Sequence, residues 1–302
     1  TTEIYTLSLH DALPISPRRH GALLAARYRV VLAYTGLIAA FAALPIALPL
    51  LLLFVRSDEA WLLLPIGLPA AMLFLGGLAT WMWLAPRPRP ALTTSEGAVV
   101  VLASWTVAVA AGAAAFVGGA GLDLTQAVFE SMSAWTTTGL SVIDVEHAPQ
   151  TVLLLRSTLQ LAGGAGLAIL MLAAAAGPSG VGLASAEARE DQLVPHVRRS
   201  ASIVMRLYVS YAAVGVAALT IVGMDWFDAV NHAFAAVSTG GFSTRAASIG
   251  AWDDPWIEGV TIVLMVLGAT NFVTAYAAVR GRWRAVVRNP EVRLAAWLLP
   301  VG

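Results

Sequence analysis

The feature that most constrains this chain is a series of long apolar segments that hold few charged residues. A helix needs about 20 mostly apolar residues to cross the ~30 Å hydrocarbon layer of a membrane. This window predicts six membrane-spanning helices, and a seventh that starts near Val292. The six lie at residues 29–55, 60–85, 97–119, 151–176, 202–224 and 256–280. We therefore predict an all-α polytopic membrane protein.

The composition supports this class and argues against others. Hydrophobic residues make up 58% of the chain and charged residues 12%, which is far from the balance of a soluble domain. Every basic residue is an arginine and the formal net charge is zero, so nothing indicates a nucleic-acid partner. The sequence has no cysteine, no HExxH motif and no cluster of histidines. We therefore expect neither a thiolate metal site nor an intramembrane enzyme.

The first sixteen residues, TTEIYTLSLHDALPIS, differ abruptly in composition from the chain that follows. They lack the long apolar core and the basic start of a signal peptide. We predict that residues 1–16 are a non-native leader. Prolines also interrupt the first two predicted spans, at positions 45, 49, 65 and 69. They would kink these helices without ending them, because neighbouring helices can satisfy the backbone groups that are freed.

Arginine placement predicts the orientation of the spans. Cytoplasmic loops near spans carry an excess of basic residues. Arginines cluster in four places: before the first span, after the second, between the fourth and fifth, and after the sixth. These four clusters lie on the same side of the membrane if every predicted span crosses it. We predict that this side is cytoplasmic. The opposite connections are rich in acidic residues, which would raise the local concentration of cations.

Two outer connections, residues 121–149 and 225–255, are too long and too apolar to be ordinary loops, and we predict that both are re-entrant. In the first, Asp123 precedes Gln126 by three residues, an arrangement that can cap a short helix. Asp225 stands before Asp228 in the same way. The two connections align at an offset of 102 residues, and the following spans at 105. The aligned pairs include Asp123 with Asp225, Thr137 with Thr239, Gly139 with Gly241, Ser141 with Ser243, and Gly163 with Gly268. The chain therefore contains an internal repeat of span, short helix, polar loop and span.

The polar loops of this repeat, TTTGL and STGGF, are suited to a cation path. Moving an ion to low dielectric costs of order 20 kcal/mol, so its water must be replaced by equivalent ligands. Rings of backbone carbonyls do this in potassium-selective pores. Glycine can adopt positive φ and so turn successive carbonyls to one side, while threonine and serine hydroxyls can bond the backbone or add ligands. The negative C-terminal end of each short helix would favour a cation there.

Three stretches, AVFESMSAWTTTGLSV, LLRSTLQLAGGAGLAILML and VNHAFAAVSTGGFSTRAASIG, resemble the Trk/Ktr/HKT superfamily of potassium transporters, and the last is most similar to its bacterial Trk branch. The resemblance covers roughly residues 25 to 302. It implies four span, pore-loop, span repeats of potassium-channel type around one potassium path, preceded by two extra helices. Because the chain stops early in a third repeat, we expect a fragment that is incomplete at its C-terminus.

The resemblance also implies boundaries. Residues 17–90 would form a two-helix N-terminal transmembrane domain, 91–200 the first pore repeat, 201–288 the second, and 289–302 the start of a third. The first repeat would hold a pore helix at 123–135, a filter at 136–141, a helix at 151–176 and a cytoplasmic loop. In the second repeat the corresponding pore helix, filter and helix would lie at 225–237, 238–243 and 256–280.

The resemblance also assigns the individual residues of the selectivity filter in this chain. Its positions are Thr136, Thr137, Thr138, Gly139, Leu140 and Ser141 in the first repeat, and Ser238, Thr239, Gly240, Gly241, Phe242 and Ser243 in the second. Ion contacts are expected chiefly from Thr137, Thr138, Thr239 and Gly240. Sodium-preferring plant relatives resemble the first filter with serine at the position of Gly139, so we expect Gly139 to favour potassium over sodium.

The function that the resemblance implies is potassium uptake across the bacterial cytoplasmic (inner) membrane, by the membrane subunit of a Trk-type system. Its implied partners are a cytoplasmic nucleotide-binding regulatory subunit, a second copy in a homodimer when complete, and membrane lipid. Alternatives are a sodium or mixed cation transporter of the same superfamily, or an inactive truncated fragment. A secondary transporter of another class is disfavoured, because both repeats start at the cytoplasm instead of forming inverted halves.

Some polar and small residues have two interpretations. Glu130 and His232 occupy corresponding positions on the two predicted pore helices, where each would brace the filter or touch the ion path. Arg156 would snorkel to the outer surface or pair with an acidic loop residue. Close helix contacts are the better interpretation of Gly163 and its neighbouring glycines. The 177–200 loop is a solvated connection or a docking site for a regulatory subunit.

Overall fold

The computed structural model describes residues 17–85, 92–176 and 193–298. Within these ranges the chain is helical and contains no β-strand, so the predicted all-α architecture is confirmed. The α-helices are α1 (Pro17–Ala47), α2 (Leu63–Leu84), α3 (Thr94–Ala120), α4 (Leu124–Trp135), α5 (Gln150–Ala176), α6 (Leu193–Ile221), α7 (Trp226–Val237), α8 (Pro255–Ala269), α9 (Phe272–Val279), α10 (Trp283–Arg288) and α11 (Pro290–Leu298). The predicted leader at 1–16 and most of the 177–200 loop lie outside the described residues.

Long apolar helices dominate the N-terminal half. Among the residues that the structure describes, three helical segments are long and apolar enough to cross a membrane, namely Leu24–Phe54, Ser57–Leu84 and Ser95–Ala120. Their outward faces are apolar too: Phe54 is 89% exposed and Trp83 is 82% exposed. Large exposed apolar side chains are expected where the surrounding medium is lipid instead of water. Two shorter apolar stretches are Met205–Ile221, which is part of α6, and Pro255–Ala269, which is α8.

Glycines allow the two N-terminal helices, α1 and α2, to pack closely against each other. A Cβ atom at Gly36 would lie 2.7 Å from the carbonyl oxygen of Gly77, and one at Gly77 would lie 2.8 Å from the backbone nitrogen of Ala40. Small residues allow membrane helices to approach this closely. The α1–α2 pair then packs on α3 and α5, and Ile46, Leu62 and Ile66 are fully buried in the shared core.

A proline carbonyl ties α1 to the first repeat. The α-helical part of α1 ends at Ala47, and the chain continues as a 3₁₀ helix over Leu48–Phe54. Pro49 has no N–H to bond the carbonyl of Pro45 four residues earlier. Instead, the Thr158 hydroxyl of α5 donates a hydrogen bond of 2.9 Å to that carbonyl. The expectation that a neighbouring helix satisfies a freed backbone group is confirmed at this position.

A second contact holds the start of α5. Glu59, which is 6% exposed, lies in the 3₁₀ helix Ser57–Leu62 that precedes α2. Its carboxylate accepts hydrogen bonds of 2.9 Å from the backbone N–H groups of Gln150 and Thr151, the first two residues of α5. These N–H groups have no partner inside the helix, and a carboxylate also suits the positive end of the helix dipole. The N-terminal pair therefore fixes the outer end of α5.

The structure differs from the predicted single helix at 256–280. It places two helices there, α8 and α9, which are separated at Thr270 and Asn271. Thr270 has an extended backbone with ψ of 132°, and its hydroxyl donates to the carbonyl of Val266 at 2.6 Å. The Thr270 N–H bonds Leu267 at 3.2 Å. The backbone of Thr270 thus leaves the helical region, and α8 ends there.

Candidate functional site

Two short capped helices position the candidate site. Asp123 accepts a hydrogen bond of 2.9 Å from the Gln126 backbone, and Gln126 accepts one of 3.3 Å from the Asp123 backbone, so the predicted capping of α4 is confirmed. In α7 the cap is simpler, because Asp225 accepts from the Phe227 N–H at 3.0 Å. Asp228 takes no part in that cap. Its carboxylate turns to the following loop and accepts from Thr244 at 2.6 Å.

The two helices end in the same way. Thr137 N–H bonds the carbonyl of Ala134 at 3.1 Å, and Thr239 N–H bonds that of Ala236 at 3.1 Å. Thr137 and Thr239 adopt φ of +56° and +54°, in the left-handed region that β-branched residues rarely occupy. Such conformations cost about 1–3 kcal/mol and concentrate at functional sites. Glycine was expected to supply positive φ here, but of the loop glycines only Gly139 does so, at +81°.

The two polar loops touch each other. A Cβ atom at Gly139 would lie 2.8 Å from both the Cα and the nitrogen of Gly241, so there is no room for a side chain. A Cβ at Gly241 would lie 3.8 Å from the Gly139 Cα. Sequence reasoning placed these glycines at the same position of the repeat. The structure brings the two residues together across the repeat.

Some loop carbonyls have protein partners and others do not. The carbonyl of Leu140 accepts from the Ser133 hydroxyl at 2.5 Å, and that of Ser243 accepts from Arg156 at 3.1 Å. In the described part of the chain, no hydrogen-bond donor reaches the carbonyl oxygens of the other ten filter residues. Six of these ten lie at the central positions of the two loops: Thr137, Thr138, Gly139, Thr239, Gly240 and Gly241. These six oxygens are therefore free to face a ligand. They belong to matching positions of the two repeats.

Hydroxyl groups near the loops largely bond the protein. The Thr136 hydroxyl donates to the Met132 carbonyl at 2.7 Å, and it lies 2.7 Å from the hydroxyl of Thr138. The Ser238 hydroxyl donates to the carbonyl of Ala235 at 3.0 Å. These bonds complete the ends of the short helices. Backbone oxygens are therefore better placed than the hydroxyls of Thr136 and Ser238 to bind an ion.

Glu130 and His232 brace the loops that follow them. Glu130 is fully buried and accepts hydrogen bonds of 2.9 Å from the Ser141 hydroxyl and from the Val142 N–H. His232 is 3% exposed, and its Nε2 lies 2.9 Å from the hydroxyl of Ser243. Ser141 and Ser243 are themselves a matched pair. Of the two interpretations left open by the sequence, bracing of the loops is the one that the structure shows.

Arg156 is buried between the repeats. It is 2% exposed, and its Nε donates to the Glu130 carboxylate at 2.7 Å. Its guanidinium carbon lies 4.1 Å from the centre of the Phe242 ring. The prediction that Arg156 snorkels or pairs with an acidic loop residue is therefore wrong. The reason is that α5 packs against both short helices, which encloses the outer part of α5 in protein.

Other residues on the same face of α5 were missed by the sequence reasoning. The Ser157 hydroxyl donates to Asn231 at 2.6 Å. Gln160 is fully buried against Gly240, where a Cβ atom would overlap the Gln160 amide. Positions 156, 157 and 160 lie on one face of α5. Three polar residues on one face of a predicted membrane span indicate a functional role, and this pattern is visible in the sequence.

Glycines on α5 and α8 make the expected close contacts. A Cβ at Gly163 would overlap the carbonyl oxygen of Trp135, the last residue of α4. A Cβ at Gly268 would overlap the carbonyl oxygen of Val237, the last residue of α7. The same contact therefore occurs in both repeats, where a long helix supports the end of a short one.

A cavity of about 280 Å³ lies on one side of the paired loops. Its lining includes Gly139, Asp144, Arg156, Gly241 and Arg245. A hydrogen bond from His147 holds the pKa of the exposed Asp144 carboxyl below its ordinary value. The Asp228 carboxylate, bonded at 3.0 Å, raises the pKa of Arg245 above its ordinary value. Both cavity-lining groups therefore remain charged over a wide pH range.

Comparison with known proteins shows similarity to one transporter family. The profile of the TrkH family, described as cation transport protein, matches residues 72–289. The Trk system potassium uptake protein TrkH of Escherichia coli K12 is 32% identical over 222 residues, which are 70% of this chain and 46% of that protein. The TrkH of Halomonas elongata is 31% identical over 276 residues, which are 88% of this chain and 56% of that protein.

A solved structure is similar as well. The crystal structure of the potassium transporter TrkH from Vibrio parahaemolyticus matches with a TM-score of 0.71 and 30% identity. The match covers 83% of this chain and 52% of that one. The chain therefore spans about half the length of the relatives that it matches.

Proposed function

Because the chain belongs to the TrkH family of cation transport proteins, we propose that it takes part in potassium uptake through a filter built from its two polar loops. The chain is a multi-pass protein of the cytoplasmic membrane, and its family consists of transporters. Potassium is then the transported ion and not a resident cofactor. We also propose that the chain has no enzymatic activity.

The observation that carries this proposal is the set of free carbonyl oxygens at matching positions of the two loops. Carbonyl oxygens of this kind replace the hydration shell of potassium in selective pores. We propose that the chief ion ligands are Thr137 and Thr138 in the first loop, and Thr239 and Gly240 in the second. Of the other filter residues, Ser141 and Ser243 hold the loops in place through Glu130, His232 and Arg156.

An exposed apolar surface supports a filter with more than two loops. On the first repeat, Phe129 is 43% exposed and Leu140 is 62% exposed. Their counterparts at the offset of 102 residues, Asn231 and Phe242, are 1% and 2% exposed because α5 covers them. We propose that a further repeat covers Phe129 and Leu140 in the way that α5 covers Asn231 and Phe242. The repeats at 91–200 and 201–288 then supply part of a filter that encircles the ion.

The proposed partners follow from the family. The names of the relatives place them in a Trk system, which supports a role as the membrane subunit of a larger assembly. We propose that a cytoplasmic nucleotide-binding subunit regulates the full-length protein and that two copies form a homodimer in the lipid membrane. Purification in a mild detergent tests this. Isolation of the full-length protein as a monomer without a nucleotide-binding subunit would contradict it.

Potassium uptake in bacteria that lack their own uptake systems tests the function. We expect the full-length protein to restore growth at low external potassium and to admit rubidium as a tracer. Sodium uptake of equal rate would favour the alternative of a sodium or mixed cation transporter. The 302-residue chain expressed alone tests the alternative of an inactive fragment. Absence of any cation uptake by the full-length protein, with normal insertion in the membrane, would overturn the proposal.

A further inference from the structure

Arg156 of α5 makes contacts with both repeats. Its Nε donates to Glu130 of the first repeat at 2.7 Å, and its Nη1 donates to the carbonyl of Ser243 in the second loop at 3.1 Å. The guanidinium also stacks on Phe242, with 4.1 Å from its central carbon to the ring centre. A planar guanidinium can do this because separate nitrogens serve separate acceptors in fixed directions.

Glu130 extends the connection to the first loop. It accepts hydrogen bonds from the Ser141 hydroxyl and the Val142 N–H, both at 2.9 Å. The connection therefore runs from the end of one loop, through two buried charged side chains, to the end of the other. Gly139 and Gly241 touch each other directly within the loops. The relative position of the two loops is thus fixed at two separate points.

The Arg156–Glu130 pair has no counterpart at the matching positions of the second repeat. At the offset of 105 residues that relates the long helices, Arg156 aligns with Thr261, whose hydroxyl donates to its own helix at Ile257. Glu130 aligns with His232, which bonds Ser243 of its own loop. The second repeat has its own arginine pair, Arg245 with Asp228, but this pair stays within that repeat. Only Arg156, among the arginines that the structure describes beside the two loops, bonds groups of both repeats.

Pairing also keeps the arginine compatible with a cation path. A buried arginine without a counter-charge would repel a cation nearby, and its own desolvation would be costly. The Glu130 carboxylate supplies the counter-charge at hydrogen-bond distance. Arg156 can therefore lie beside the loops and still contribute no net positive charge to the path.

We propose that Arg156 is a positioning residue that sets ion selectivity, because it fixes the distance between the two loops and hence the spacing of their free carbonyl oxygens. This inference rests on the proposed function. Loops held at a fixed distance suit one ion size, whereas loops free to approach each other also accept the smaller sodium ion. The residue acts through the loops and does not touch the ion.

The variant Arg156→Lys tests the proposal. Lysine keeps the buried positive charge beside Glu130. Its single nitrogen, however, would have to bond both Glu130 and the Ser243 carbonyl, which two different nitrogens of Arg156 bond now. In full-length protein reconstituted into liposomes, we expect the ratio of potassium flux to sodium flux to fall roughly tenfold, which corresponds to about 1.4 kcal/mol. A purely structural role would lower the amount of folded protein and leave this ratio unchanged.

The matched control is Arg27→Lys. Arg27 also pairs with a glutamate, Glu96, through two hydrogen bonds, but this pair joins α1 to the start of α3 and contacts neither loop. We expect its flux ratio to equal that of the unaltered protein. If Arg156→Lys does not fold, Glu130→Gln provides the second test with the same expected fall. An unchanged ratio in the folded variant would overturn the inference, whereas absence of potassium flux in the unaltered protein would overturn the proposed function.

Discussion

Gly163 of α5 lies directly against the carbonyl oxygen of Trp135, at the point where α4 ends and the first polar loop begins. Any Cβ atom at position 163 would overlap that oxygen. Gly268 of α8 lies against Val237 in the same manner. Both loops therefore start from a helix end that a glycine of the next long helix supports.

The first prediction concerns this support. Gly163→Ala and Gly268→Ala should each destabilise the folded protein by about 1–3 kcal/mol, because the added methyl group forces two backbones apart. Thermal unfolding in detergent micelles measures the effect. Gly259→Ala is the control, since no atom lies within 4 Å of a Cβ at that position of α8. Equal midpoints for all three variants would contradict the prediction.

The second prediction concerns Gly139. Gly139→Ser should raise sodium flux relative to potassium flux, because a Cβ at this position meets the backbone of Gly241 at 2.8 Å and the second loop has to move. The φ of +81° also strains any side chain there. Flux measurements in liposomes with the full-length protein check this. Gly250→Ser, in open space, should leave the flux ratio as it is. Unchanged relative permeability in Gly139→Ser would count against the proposed filter.

The third prediction concerns the outer end of α5. Glu59→Gln should destabilise the protein by about 1–3 kcal/mol, because an amide keeps only one acceptor for the two N–H groups of Gln150 and Thr151. Hydrogen exchange at these two amides should become faster. Asp58→Asn is a suitable control, because Asp58 is exposed and bonds only Arg56 among the described residues. Unaltered exchange at residues 150 and 151 in Glu59→Gln would argue against this role of Glu59.

The fourth prediction concerns Thr158. Thr158→Val should cost about 1–3 kcal/mol of stability, because the Pro45 carbonyl loses its donor in a buried position. Thr106→Val provides the comparison. The Thr106 hydroxyl bonds the Leu102 carbonyl of its own helix, which needs no other helix to satisfy it. Equal melting temperatures for the two variants would show that the Pro45 carbonyl does not require the Thr158 hydroxyl as its hydrogen-bond donor.

Local features of the site could be predicted from the sequence. The Asp123 cap and the end of α4 follow from side-chain and turn chemistry within a few residues. The repeat alignment also placed Glu130 and His232 at corresponding positions of the two short helices, and both bond the matching serine of their own loop. Such interactions join residues that are close together in the chain, so a local sequence pattern can predict them.

Contacts between repeats could not be predicted in the same way. Arg156 bonds Ser243, which lies 87 residues away, and hydropathy gives no information about which helix faces which loop. The left-handed threonines were missed because φ at Thr137 and Thr239 is imposed by the turn that ends each short helix, against the preference of the residue. The break at Thr270 could not be predicted from hydropathy, because α8 and α9 are equally apolar on either side of it.

The position of α5 between the two loops has a consequence for the evolution of the chain. Arg156, Ser157 and Gln160 each contact residues of the second repeat, while Gly163 contacts the first. The two duplicated halves consequently cannot diverge independently after duplication. A substitution on this face of α5 has to be matched by compatible residues in both halves, so we expect positions 130, 156 and 242 to covary among homologues.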